Sequence, residues 1–585
     1  MAIGVLSPEI VARIAAGEVV ERPVSVVKEL IENSLDARAA RIDIEVQAGG
    51  IGMIRVVDDG AGIAQEDVSA AFQRHATSKL RTVGDMDRIQ TLGFRGEALA
   101  SISTVSDVSL VSRVAGAAGG WAVRVSNCQV VEQGPRGAPH GTSITVRNIF
   151  SEVPARLKFL RSNASEAGRI TTLVGHFALA YPEVGFTMAI DGRRTFASQG
   201  AGDTRDPMAR LYGLETGEAA LEVVHEADAG AVPIVVRGLI SPPRVTRANR
   251  SYITLFVNRR LIQSRTLTFA VLDAYRGSLM TGRYPIAVLN IEIDPAETDV
   301  NVHPAKAEVR FRDEGIVFSA IHHAVEGALV GATLARALHS DLSAPHAGGL
   351  SVPNERTGNG ASLRMPNDSP MTPAAPRTAI GVPSDVPPTV QAGLGLPVLR
   401  VLGQLRGTFI VAEGPEGMYL LDQHTAHERV LFDELRRKKV AGHVQSQGLL
   451  EPMSVELSPQ QEELFEEHRQ ALEAHGFGLE RFGERTALLR AVPALLSGKS
   501  PAQALRDVLD YAGADDLRGY DWEDRILATV ACHGAVRAGH DLQAQEMQEM
   551  VRLLEATDNP HTCPHGRPVM LHLSNVQLEK EFHRR

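Results

Sequence analysis

Between Phe318 and Phe409 the chain contains no Phe, Tyr or Trp, and ten of its 31 prolines fall between Asp341 and Pro397. A segment without large side chains cannot bury enough surface to offset the entropy of ordering it. The chain must therefore fold as two modules on either side of a tether. Flexible-coil scaling gives that tether an end-to-end distance of roughly 40 Å. With 585 residues in all, each module is long enough to bury a core of its own. The expected division is residues 1–205 and 206–335 in the N-terminal module, a linker over 336–397, and a C-terminal module over 398–585. No internal repeat accompanies it.

Composition removes several classes of function. Three cysteines in such a chain cannot build a disulfide framework and suit a reducing cytosol. The apolar runs fall short of a bilayer span and the first residues lack a targeting pattern, so a cytoplasmic protein with no membrane partner is expected. Net charge is −10, so any nucleic-acid contact must come from a local basic patch.

In the N-terminal module, Ser7-Pro8 reads as the start of a helix, and a second is predicted in PVSVVKELIENSLDA after Pro23. There Val26, Val27, Leu30, Ile31 and Leu35 keep the spacing of a buried stripe, while Glu29 and Asn33 share another face. RIDIEVQ (41–47) alternates as a strand, and MIRVV (53–57) is a second, ending in Asp58-Asp59-Gly60-Ala61-Gly62. That turn sets a carboxylate beside glycines that let a ligand approach the backbone. RHATSK (74–79) and TLGFRGEALASI (91–102) follow, with Gly93 and Gly96 ahead of a helical pattern whose free N–H groups suit phosphate. Gly141-Thr142 opens another strand. Taken singly, these motifs are equally compatible with solvated faces and ordinary turns. Gly498-Lys499-Ser500 is no phosphate loop, because the glycine required five residues earlier is Pro493.

In order, KELIENSLDA, DDGAG, RHATSK, GFRGEAL and GTSITV resemble the GHKL ATPases: gyrase B, the heat-shock chaperone, histidine kinases and MutL. AAGEVVERP and GFRGEALASI look specifically like the MutL mismatch-repair family. The resemblance implies ATP and Mg²⁺ as cofactors, with Glu29 orienting the attacking water and Asn33 on the metal. It implies that Asp58 accepts from the adenine amino group, with Gly60 and Gly62 giving room and Thr142 supporting that end. Thr77, Lys79, Gly93, Arg95, Gly96 and Leu99 would belong to a lid over the phosphates. DPAETDVNVHPAKAEVRF (294–311) is similar to the segment whose lysine, here Lys306, reaches the γ-phosphate from a second domain. Upstream lie Arg244, Arg247, Arg250, Arg259, Arg260 and Arg265, with no Asp or Glu between Ser241 and Leu272. Such a cation-only stretch predicts contact with duplex DNA phosphates, the alternative being a solvated surface.

DQHTAHERVLFDE (422–434) holds four carboxylates and two histidines, which alone describes a charged helix face. MYLL (418–421) reads as a strand, so Asp422 lies at its end, and His424 and Glu428 share one face of the following helix. ATVACHGAVRAG (528–539) and HTCPHGRPVML (561–571) add Cys532, Cys563 and His565. Cys, His and carboxylate together suit borderline-soft divalent metals. The three elements resemble those of MutL proteins that carry their own endonuclease, with Thr425, Asp433 and His533 departing from the pattern. The resemblance implies Asp422 and Glu428 as catalytic ligands. It gives Zn²⁺ to His424, Glu428, Cys532, Cys563 and His565, with Mn²⁺ or Mg²⁺ for cleavage; His533 could add a ligand. Gln447, Leu450 and Pro452 fit the family's Q-x-x-L-x-P contact to a sliding clamp.

The fold expected is α+β: a GHKL α/β sandwich, a second α/β domain (ribosomal-protein-S5-like), a disordered linker, and an α/β dimerisation and nuclease domain. The function implied is an ATP-gated matchmaker that works with MutS, a sliding clamp and a repair helicase, as a homodimer on duplex DNA. A GHKL chaperone or kinase, or a scaffolding MutL without nuclease activity, are the alternatives.

Overall fold

The computed structural model describes residues 20–79, 91–93, 96–126, 128–151, 153–160, 162–229, 232–279, 283–299, 309–342, 396–440, 444–483, 485–496, 500–512, 521–536, 540–582 and 584. The helix expected at Ser7-Pro8, Arg95, Lys306 and residues 343–395 of the linker lie outside them.

Helix α1 (Pro23–Asp36) begins on a proline, whose missing N–H falls where a helix has no partner for it. It buries Val26, Val27, Leu30 and Ile31, the stripe read from the sequence. An eight-stranded sheet follows, from β1 (Arg41–Gln47), β2 (Met53–Asp58), β3 (Asp107–Arg113), β4 (Gly120–Ser126), β5 (Gln129–Arg136), β6 (Gly141–Arg147), β7 (Gly185–Ile190) and β8 (Arg193–Ala197). The order is β5-β4-β3-β6-β2-β1-β7-β8, antiparallel except where β1 runs parallel to β7. Ile42, Ile44 and Val46 of β1 are buried between exposed or half-exposed neighbours, so one face of the sheet meets α1, α2 (Ala98–Thr104) and α3 (Asn163–Ala180) in a single core. This is the expected α/β sandwich, and it sets the end of α1 beside the ends of β2 and β6.

The second unit has a five-stranded sheet of β9 (Leu221–Ala229), β10 (Val232–Ile240), β11 (Ile253–Val257), β12 (Arg260–Ile262) and β13 (Ala287–Glu292), in the order β12-β11-β13-β10-β9. Helices α4 (Arg265–Ala274) and α5 (Glu314–Leu342) cover it, burying Leu267, Val271, Val317, Ile321 and Val325. Helix α5 continues past residue 335 to Leu342. The stretch Glu314–Ala332 is also long and apolar enough to cross a membrane by composition. Its inner face belongs to the domain core, and a bilayer would surround His322, His323 and Glu326 with hydrocarbon.

The C-terminal module combines a four-stranded and a three-stranded sheet. The first is β14 (Arg400–Leu405), β15 (Phe409–Gly414), β16 (Gly417–Asp422) and β20 (Met570–Ser574), in that order. The second is β17 (Ser446–Glu456), β18 (Gly478–Gly483) and β19 (Thr486–Pro493), with β19 central. Helix α6 (Gln423–Val440) leaves β16 directly, as the sequence predicts, and packs between the two hydrophobic cores. Helices α7 (Pro459–Ala474), α8 (Pro501–Ala512) and α9 (Trp522–Gly534) complete the larger core. This module touches the N-terminal one through buried polar groups. Arg283 is bidentate to Asp507 at 2.6 Å, Tyr252 donates to Asp510 Oδ1 at 2.5 Å, and Asn249 donates to the Asp510 carbonyl at 2.7 Å.

Candidate functional site

At the end of β2, Asp58 is 8% exposed and accepts from Ser34 Oγ (2.8 Å) and Gly60 N (3.0 Å). Burial pushes its carboxyl above the usual range against those bonds. Its partner across the β2–β6 pair is Thr142, whose hydroxyl meets Ser112 Oγ at 2.9 Å. The glycines here are required by space. A Cβ on Gly62, at φ +77°, would lie 2.4 Å from the Arg113 carbonyl, and one on Gly60 would lie 2.9 Å from Ala37. The Ala61 N–H closes the turn onto the Ala37 carbonyl at 2.9 Å, tying it to the end of α1.

Asn33 is the neighbour of Ser34 in α1, with Glu29 one turn further back. Asn33 Oδ1 accepts from Lys79 Nζ at 2.9 Å, and Asp36 Oδ2 accepts from the same ammonium at 2.5 Å. Asp36 also accepts from the Leu92 and Gly93 amides at 2.9 and 3.0 Å. Thr77 Oγ1 accepts from Lys79 N at 3.1 Å. Gly96, at φ +63°, packs where a Cβ would come 2.7 Å from the Ala76 carbonyl, and Leu99 is buried in α2. Lys79 and Gly93 are thus tied to α1 through Asn33 and Asp36, Gly96 packs on Ala76 next to Thr77, and Asp58, paired with Thr142, meets the same helix through Ser34. Oxygen atoms that already hold an ammonium are of the hard type that Mg²⁺ takes. Asp36 was not singled out from the sequence, although it lies three residues from Asn33 on the same helix.

The second site is centred on Glu428, which is 1% exposed. His424 Nε2 and His565 Nδ1 each lie 3.1 Å from its carboxylate. Ligand atoms of His424, Glu428 and Cys532 lie within 4.8 Å of one another, as do those of Glu428, Cys563 and His565. Burial would raise Glu428, but the bonds from His424 and His565 outweigh it and hold the carboxyl well below the usual range. The bond to Glu428 in turn raises His424. Burial, with Glu428 adding to it, pushes Cys563 up to about 11 and Cys532 higher still. A buried carboxylate, two imidazoles and two thiols form a donor set suited to a divalent ion of borderline softness, so the residues fit the metal that the sequence suggested.

Other residues of the motif hold this cluster in place. Asp422 Oδ1 caps α6 by accepting from His424 N and Thr425 N at 2.9 and 3.0 Å; Asp422 is absent from both ligand groups. His533 does not add a ligand among the described residues: its Nε2 turns to Asp507 Oδ2 at 3.0 Å. His427 is likewise committed, Nδ1 accepting from Val536 N at 3.0 Å. Arg429 and Asp433 are buried one turn apart. Arg429 donates to the Thr562 carbonyl at 2.7 Å, and Asp433 accepts from Arg429 and from Asp558 N at 3.3 and 3.0 Å. They fasten the loop bearing Cys563 to α6. The i,i+4 pairing of opposite charges in ERVLFD was the signal for them.

The arginine stretch does not act as one surface. Arg244, Arg250, Arg259 and Arg265 are exposed, but Arg247 and Arg260 are 6% and 8% exposed and donate to backbone carbonyls. In this structure these two are engaged inside the protein, whereas a contact with DNA phosphates needs an exposed guanidinium. Arg259 pairs with Glu183. In β17 the register with β19 breaks between Gly448 and Met453, and Leu450 projects fully into solvent with Gln447 and Pro452 exposed beside it.

Three family profiles match the chain. Residues 21–135 match a histidine kinase-, DNA gyrase B- and HSP90-like ATPase, residues 208–330 a DNA mismatch repair protein C-terminal domain, and residues 402–542 a MutL C-terminal dimerisation domain. A DNA mismatch repair protein MutL of Geobacter sulfurreducens is 39% identical over 607 residues, covering 99% of this chain and 98% of the relative. One of Methanothrix thermoacetophila is 39% identical over 586 residues, covering both chains entirely (100% and 100%). The solved Aquifex aeolicus MutL ATPase domain complexed with ADP is 29% identical, with a TM-score of 0.36 over 47% of this chain and 92% of that one.

Proposed function

The chain belongs to the MutL family of DNA mismatch repair proteins, and we propose that it couples ATP hydrolysis in its GHKL ATPase domain to metal-dependent nicking of duplex DNA. Glu29 orients the attacking water, Asn33 holds Mg²⁺, and Asp58, with Gly60, Gly62 and Thr142, selects adenine. Thr77, Lys79, Gly93, Arg95, Gly96, Leu99 and Lys306 surround the phosphates. Glu428, His424, Cys532, Cys563 and His565 hold Zn²⁺ or share it with a catalytic Mn²⁺ or Mg²⁺, and Asp422 completes the catalytic ligands. When bound, such an ion polarises the phosphodiester and lowers the pKa of water. The protein's own part is to keep Glu428 ionised in a buried site and to hold the Cys563 loop against α6.

The observation that carries the nuclease reading is the buried carboxylate of Glu428, flanked by His424 and His565 at 3.1 Å with both cysteines alongside. The dimerisation profile over 402–542 supports a homodimer formed through this module. Duplex DNA, MutS, a sliding clamp meeting Gln447, Leu450 and Pro452, and a repair helicase are its proposed partners in the cytoplasm. The decisive experiment is nicking of supercoiled plasmid in Mn²⁺. Asparagine caps a helix as well as aspartate, so Asp422→Asn should leave α6 and the ATPase intact and abolish nicking. Equal nicking by variant and wild type would remove Asp422 from the mechanism. A wild type that nicks nothing would leave a scaffolding MutL.

A further inference from the structure

We infer that Arg260 is a positioning residue of the nucleotide site, holding the Thr91–Gly93 backbone from the second unit; this rests on the ATPase reading above. Arg260 opens β12 and is 8% exposed. Its Nη2 donates to the Thr91 carbonyl at 2.9 Å and the Leu92 carbonyl at 3.2 Å, across 168 residues or more of sequence. The amides of the same two peptide groups point the other way. Leu92 N donates to Asp36 Oδ1 and Gly93 N to Asp36 Oδ2, at 2.9 and 3.0 Å. A peptide group is planar, so fixing its C=O and its N–H together removes its freedom to rotate. Arg260 and Asp36 therefore grip two consecutive peptides from opposite sides.

What they grip is part of the phosphate side of the site. Asp36 Oδ2 also holds Lys79 Nζ, which reaches Asn33 Oδ1. A Cβ at Gly93 would lie 3.1 Å from that ammonium, so there is little slack between the segment and Lys79. The arginine is supplied by the sheet of the second unit, so a shift of that unit against the ATPase sandwich moves the peptides flanking Leu92. Arg260 Nη1 has no partner among the described residues, so one nitrogen carries the whole contact. A lysine can replace one donor in part, whereas an isosteric apolar side chain cannot.

The test uses the full chain with Arg260→Met and Arg260→Lys, followed by amide hydrogen exchange and steady-state ATP hydrolysis. Exchange in the peptide spanning 91–93 should rise in the order wild type, Lys, Met, while the 253–257 strand stays protected. KM for ATP should rise about tenfold in the Met variant, the scale of a lost charged hydrogen bond, with lysine recovering part of it. The salt dependence of duplex binding should not change. Wild-type exchange at 91–93 in both variants would overturn the inference. So would an unchanged KM with a salt slope shallower by about one unit, the signature of a phosphate contact. Should Arg260→Met unfold, the lysine variant decides alone: loss of protection confined to 91–93 supports the role, and loss spread over 253–257 overturns it. If wild type hydrolyses no ATP, the ATPase reading fails, and the exchange result still judges the grip on these peptides.

Discussion

Asp58 and Glu428 are both buried carboxylates at the heart of a site, yet their surroundings act on them in opposite directions. Asp58 accepts from neutral donors, Ser34 Oγ and Gly60 N, and burial wins, so its carboxyl is pushed up. Glu428 lies between two imidazoles, and they win over burial, so its carboxyl is pulled down. The first arrangement suits a neutral partner that brings a hydrogen-bond donor. The second suits a cation. The two ends of the molecule are therefore prepared for different chemistry by which neighbours each carboxylate is given.

The largest expected effect breaks the nucleotide side. Glu29→Ala should still bind ATP while turnover falls by roughly 100-fold or more, the usual worth of a positioned general base. Asp58→Ala should instead weaken binding, because a buried adenine amine would face no acceptor. Equal loss of binding and turnover in Glu29→Ala, followed with a fluorescent ATP analogue, would contradict that division of labour.

Glu428→Gln sharpens the contrast from the other side by keeping shape and removing charge. Affinity for divalent metal should fall by at least about tenfold, as when the groups organising a metal site are lost. ATP hydrolysis should stay near wild type. Competition with a chromophoric chelator reads the first quantity, and unchanged affinity would show that the carboxylate is structural.

A separate effect, on stability and not on activity, concerns the contact between the modules. Burial raises Asp510 from 3.8 to about 6. The folded form therefore holds this proton more tightly than the unfolded chain. Its contribution is present at low pH and is lost as pH rises from about 4 through about 6. Burial notwithstanding, His533 and Arg283 hold Asp507 low, so it titrates below that window. Asp510→Asn should flatten the decline, by on the order of 3 kcal/mol across it. Denaturant midpoints measured from pH 4 to 7 that fall equally in variant and wild type would exclude Asp510 as the cause.

How much was legible in the sequence follows from the distance over which each group finds its partner. The stripe of α1, the alternation of β1 and the Asp58–Gly62 turn are local patterns, and each lies where its period required. Asp36 and Arg260 act on a backbone segment 56 and 168 residues away, and a carbonyl acceptor leaves no mark on the residue type that supplies it. Arg260 in particular looked like part of a cationic surface, because sequence carries the charge but not the side of the strand. At the metal cluster, helical spacing pairs His424 with Glu428. Cys532 and the Cys563 loop reach that pair through tertiary packing, and only the family resemblance foretold it. Arg429 fastens that loop from 133 residues away.

In the proposed metal centre, three segments distant in sequence meet around Glu428 to hold zinc. X-ray absorption at the zinc edge of the full-length protein tests it directly. Sulfur scatterers at about 2.3 Å are expected, together with nitrogen or oxygen at about 2.0 Å. The sulfur contribution should shrink by about half in Cys563→Ser, because Cys532 would supply the rest. A zinc spectrum with no sulfur, identical in wild type and variant, would contradict it.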